Sequence, residues 1–72
     1  MIRMYELEQR FDKTGREGIK PLSDIELKEL YVLYDSCCEY FRLTNNYAIE
    51  QWFRLKSISI ANCLRARNIY EY

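Results

Sequence analysis

Seventy-two residues with eleven Lys+Arg against eleven Asp+Glu amount to one domain's worth of chain with no net charge, which argues against a general nucleic-acid coat. The chain has no histidine, so the commonest general base and metal ligand is missing. A composition 49% apolar and 15% aromatic is too hydrophobic for a disordered segment, and two Gly with one Pro leave too few turns for an all-β fold.

In chain order, Met4, Leu7 and Phe11 fall on one helical face, and the Glu, Gln and Arg around them favour helix. Tyr5, Leu7 and Phe11 also alternate with charges, as a strand would. A short helical arm over residues 1–11 is the expectation, with a strand as the competing reading. The start of the chain carries acid early and has no apolar h-region, so it does not read as a secretory signal, and the cytoplasm is the expected compartment. Residues 12–22, with Gly15, Gly18 and Pro21, form a connecting loop under which Ile19 and Leu22 tuck. The Gly15-Arg16-Glu17-Gly18 stretch resembles the Gly-x-x-Gly loop of KH domains on four letters. Glu17 and Pro21 disagree with that family, so it is read as a plain loop.

Ser23 followed three residues later by Glu26 is a capping box, with Leu22 and Leu27 at the staple positions and Asp24 at the positive end of the helix dipole. A helix is therefore expected over about 24–43. Leu27, Leu30, Tyr31, Tyr34, Cys38 and Phe41 form its apolar stripe, with Leu33, Cys37 and Tyr40 beside it. Thr44-Asn45-Asn46 is a polar break with N-cap chemistry. A second long helix follows over about 47–67, its stripe read as Ile49, Trp52, Phe53, Ile60, Cys63 and Leu64. Two long helices joined by so short a link run antiparallel. The expected fold is all-α: a single helical domain made of the arm, the loop, an antiparallel helical hairpin over 23–68 and a tail over 69–72. The longest uncharged run, Ser57 to Leu64, is far short of the roughly 20 residues a membrane span needs.

Charge is unevenly placed. Residues 24–43 carry five acids and two bases, and residues 44–72 carry four bases and two acids, so the two long helices are expected to complement each other. Lys56 lies inside an apolar stripe, where an unpaired buried charge costs several kcal/mol. It is expected to snorkel, to pair with an acid such as Asp35, or to face a ligand. Cys37, Cys38 and Cys63 lack zinc-ligand spacing and read as small buried thiols, with no metal or cofactor implied.

No nucleophile–base pair or carboxylate signature marks an enzyme, and none is expected. Apolar residues off the main stripes, Ile25, Val32 and Leu43 on one helix and Leu55, Ile58 and Ile69 on the other, exceed what a short arm can cover. The expectation is a protein–protein interaction module, a regulator or inhibitor of a larger protein that also self-associates. Val32, Tyr40, Leu55, Ile58, Tyr70 and Tyr72 are its candidate partner-binding residues. In size and style the chain is similar to the small accessory proteins that bacteriophages and mobile elements encode against host enzymes, which implies a protein target in the host cytoplasm. The competing reading is a nucleic-acid or nucleotide binder that holds phosphate with Arg54, Lys56, Arg65 and Arg67, supported by a stretch from residue 51 to 70 without an acid.

Overall fold

The computed structural model describes residues 2–16 and 18–72 and contains three helices: α1 (Ile2–Asp12), α2 (Asp24–Leu43) and α3 (Tyr47–Ala66). Glu17, the acid of the Gly-x-x-Gly stretch, lies outside the described residues. The fold is the all-α hairpin expected, with α2 and α3 packed closely and α1 as a short arm against α2. The helical reading of the arm holds. Leu7 is buried while Tyr5 points to solvent, whereas a strand would have put both on one side.

Local chemistry sets the helix ends. Ser23 accepts a hydrogen bond from the Glu26 backbone N–H at 3.1 Å, and the Glu26 carboxylate accepts one from the Ser23 N–H at 2.9 Å. Leu22 and Leu27, on either side of the cap, are both buried. Beyond α2, the Asn46 N–H donates to the Phe41 carbonyl at 2.8 Å and the Asn45 N–H to the Arg42 carbonyl at 3.1 Å. That is a Schellman motif, and Asn45 takes the left-handed conformation it requires (φ 60°). The same motif closes α3. Ile69 N–H donates to Leu64, Asn68 N–H to Arg65, and Asn68 is left-handed (φ 63°). Asn46 caps α3 with no side-chain hydrogen bond, so the polar break works mainly by ending α2 rather than by starting α3.

Leu7, Leu27, Leu30, Ile60 and Leu64 are the largest fully buried side chains. Each contributes about 1.5–3 kcal/mol by leaving water. The inner face of α3 differs from the expected stripe. Trp52 is 53% exposed and Ile49 38%, while Phe53, Ser57, Ile60, Ala61 and Leu64 are buried. Ser57 and Ala61 are small enough to let α2 and α3 approach closely, and Ser57 satisfies its hydroxyl by donating to the Arg54 carbonyl at 2.8 Å. With these two residues counted, the inner face rotates away from Trp52. Phe53 stacks on Phe41, with ring centroids 5.7 Å apart.

The acids of α2 answer α1 more than α3. Glu26 pairs with Arg10 and Glu29 with Arg3, whereas Arg67 to Asp24 at 2.8 Å ties α2 to the end of α3. The complementarity expected between the two long helices is thus largely taken up by the arm.

Candidate interaction surfaces

α1 lies along one side of the hairpin and leaves the other open. On the open side a groove of about 320 Å³ runs between α2 and α3. Tyr31, Asp35, Glu39 and Arg42 form its α2 wall, Glu50, Arg54 and Ile58 its α3 wall, with Cys38 and Ser57 at the base. Arg54 is held by Glu50 at 2.7 Å through one guanidinium nitrogen, and Arg42 pairs with Glu39 in the neighbouring turn. Asp35 makes no ion pair or hydrogen bond among the described residues. On the α1 side, a mostly apolar hollow of about 270 Å³ lies beside the first turn of the arm, bounded by Met4, Leu33, Ser36, Cys37, Tyr40 and Phe41.

The six candidate partner-binding residues are all exposed, but the fold does not gather them into one patch. Ile58 lines the open groove, and Tyr72 reaches its edge by packing against Tyr31 with ring centroids 4.6 Å apart. Tyr40 lies on the other side, at the rim of the apolar hollow. Val32 and Leu55 stand on the outer surfaces of their helices, 52% and 58% exposed, and Tyr70 sits in the tail. Of the off-stripe residues only Ile69 packs against the core; Ile25, Val32, Leu43, Leu55 and Ile58 stay exposed.

The four candidate phosphate-binding residues are divided as well. Arg54 faces the open groove beside Glu50. Lys56 and Arg67 lie toward the other flank and are held by Glu8 and Asp24. Arg65 makes no ion pair among the described residues. Three of the four charges are therefore already engaged by acids of the same chain, which competes directly with phosphate.

Lys56 is paired, as expected of a cation in an apolar stripe, but with Glu8 of the arm rather than Asp35. Its ammonium is 3.2 Å from Glu8 Oε2 and 4.3 Å from the centroid of the Trp52 ring, so the exposed indole caps the ion pair as a cation–π partner. The Tyr34 hydroxyl donates to the same carboxylate oxygen at 2.6 Å. Burial, then this hydrogen bond, pushes the Tyr34 phenol above its usual range. The cluster joins all three helices and is a strut.

The thiols are free. Cys38 Sγ lies 3.7 Å from the Glu50 carbonyl oxygen and Cys37 Sγ 3.9 Å from Met4 Sδ. Burial raises both pKa values, which keeps them protonated and unreactive at neutral pH. Among the described residues no group of His, Cys, Asp and Glu is placed to hold a metal ion, and no helix is long and apolar enough to cross a membrane.

Sequence reasoning missed the hollow and Glu8. The signal for Glu8 was present: Met4, Leu7, Glu8 and Phe11 have i, i+3, i+4, i+7 spacing, so an acid sits in the arm's apolar stripe as Lys56 sits in that of α3. The hollow had no such signal, because it depends on how the start of α1 lies against α2. Set against protein-family models, curated proteins and solved structures, the chain matches none of them.

Proposed function

We propose that this protein is a small interaction module that binds a larger protein, as a regulator or inhibitor, through side chains on the hairpin. The observation that carries the reading is the amount of large apolar surface left in water. Thirteen large hydrophobic residues are exposed among those described, including Trp52, Tyr40, Leu55 and Ile58. Exposed apolar residues are ordinary one at a time, but thirteen are many for a chain of 72 residues, and among them Ile58 lines the groove and Tyr40 the hollow. Tyr and Trp also favour contact with a partner, because they bring large rigid area with a polar tip. Bacteriophage or mobile-element origin, with a host enzyme as target, is the finer form of the proposal and rests on size and style alone.

The test is stoichiometric capture of one host protein by the wild-type chain, compared with Tyr40→Glu and Leu55→Glu. Both sites are exposed, so the variants should fold. Loss of the captured protein with either variant supports the reading. Retention that vanishes on nuclease treatment, falls steeply with salt and is abolished by Arg65→Glu would replace it with phosphate binding by Arg54, Lys56, Arg65 and Arg67.

A further inference from the structure

Leu33, Ser36, Cys37 and Tyr40 have i, i+3, i+4, i+7 spacing and share one strip of α2, on the flank of its core-facing side. α1 meets that strip at its first turn, where Met4 is buried, and the rest of the strip stays open as the hollow of about 270 Å³. None of the described residues that line it is charged. Size limits what can enter. A cavity of about 150 Å³ takes benzene, and sites for whole drug-sized ligands begin at roughly 300 Å³. The hollow therefore suits a single side chain with one or two rings.

Its walls are held in place before anything binds. Phe41 closes the hollow toward the core, where its ring stacks on buried Phe53 with centroids 5.7 Å apart. Tyr40 stands edge-on to Phe41 at 5.0 Å. Cys37 Sγ and Met4 Sδ lie 3.9 Å apart beside them. Two sulfurs and two rings make a polarisable lining, and sulfur makes favourable contacts with aromatic rings. The lining thus favours an aromatic occupant.

The surroundings indicate that the ring arrives on a protein. Val32, Ser36, Tyr40 and Leu43 follow one another at helical spacing and form an outer strip of α2 beside the hollow. Val32, Tyr40 and Leu43 are each more than half exposed, and the strip carries no charge. The neighbouring carboxylates, Glu29 and Glu39, are already engaged by Arg3 and Arg42. A free two-ring molecule would leave this strip in water, whereas a side chain on a protein brings surface that covers it. Binding energy concentrates on aromatic anchors that fill pockets and are ringed by contacts that keep water out.

We propose that the hollow beside the first turn of α1 is a socket for one aromatic side chain of the protein target, Trp by size, with the strip from Val32 to Leu43 as the surrounding contact. This rests on the interaction-module reading and names the anchor that the partner brings. It places two of the candidate partner-binding residues, Val32 and Tyr40, in one docking surface.

The test uses the full chain with N-acetyltryptophanamide as probe. Titration should shift the Met4 and Leu33 methyl resonances saturably, with a Kd on the order of 1 mM, and slow the alkylation of the half-buried Cys37 thiol. N-acetylleucinamide should bind about tenfold more weakly or worse. Ser36→Phe, at an exposed position, lays a ring over the hollow and should abolish the shifts. If that variant misfolds, Tyr40→Ala, which removes one wall at an exposed position, should weaken binding about fivefold or more. The same variants should lose the host protein that the wild type captures. Absence of saturable shifts, equal binding of the two amides, or shifts that survive Ser36→Phe overturns the socket. Capture undiminished in Ser36→Phe and Tyr40→Ala overturns the socket and keeps the interaction module. Probe binding by a chain that captures no protein overturns the interaction module and the protein source of the ring together.

Discussion

On the side of the hairpin that α1 covers, the charges near the core are matched across helices: Arg3 with Glu29, Arg10 with Glu26, and Glu8 with Lys56 under the Trp52 ring. On the opposite side Asp35 stands alone, Arg54 and Arg42 find acids only within their own helices, and Ile58 is half in water. The same two helices build both sides. What differs is whether a third helix lies on them. A short arm closes one groove of a two-helix hairpin and leaves the other open, because a chain this short cannot bury all its apolar residues.

The sharpest way to break this comparison is to cut the core and the covered side separately. Phe53→Ala should cost about 3–5 kcal/mol, because the ring is buried against Phe41 and Tyr34. Trp52→Ala, one residue away, should cost about 1 kcal/mol, the loss of an exposed cation–π contact. Chemical denaturation of the two variants side by side checks this. Equal losses would mean that Trp52 belongs to the core.

Lys56→Met should cost about 1–2 kcal/mol, since Glu8 is left partly buried with only the Tyr34 hydroxyl for company. Glu8→Gln/Lys56→Met should then cost less than the sum of the single changes, a coupling that a double-mutant cycle reads directly.

Ser23→Ala should cost about 1 kcal/mol by removing the N-cap acceptor. The same capping box predicts a pH dependence. The Ser23 backbone N–H, then the Arg10 guanidinium, hold the Glu26 carboxyl at about 2, below its ordinary value. A depressed folded-state pKa contributes stability that is fully present above about pH 4.5 and is lost as pH falls toward 2. Glu26→Gln, which removes the titrating carboxyl, should flatten that acid limb in melts recorded across the range.

At the small end, Leu55→Ala and Ile58→Ala should change the stability of the isolated monomer by no more than about 0.5 kcal/mol, as expected of exposed side chains. A larger loss under dilute conditions would place them in the fold rather than on a docking surface.

Most of the architecture was legible in the sequence wherever a local rule acts alone. The Ser23–Glu26 box gave the start of α2 to the residue, and the polar break gave the hairpin. The face of α3 was misread because apolarity was counted by size: Trp52 was admitted, and Ser57 and Ala61 were not. Small residues mark a close helix approach as firmly as large ones mark a core, but that shows only when the facing helix is in place. The same holds for the charges. Opposite charges in the two stripes, Glu8 and Lys56, could have been matched from spacing alone, whereas the exchange of α3 for α1 as partner of the α2 acids depends on how the arm crosses. The six candidate binding residues are exposed, but their division between two sides of the hairpin is a property of the packing.

The comparison between the covered and open sides is tested most directly by chemical denaturation of Lys56→Met beside Asp35→Asn. Lys56 is held by Glu8 at 3.2 Å, whereas Asp35 makes no ion pair among the described residues. The account predicts a loss of about 1–2 kcal/mol for Lys56→Met and a change within about 0.5 kcal/mol for Asp35→Asn. Equal losses in the two variants would contradict it.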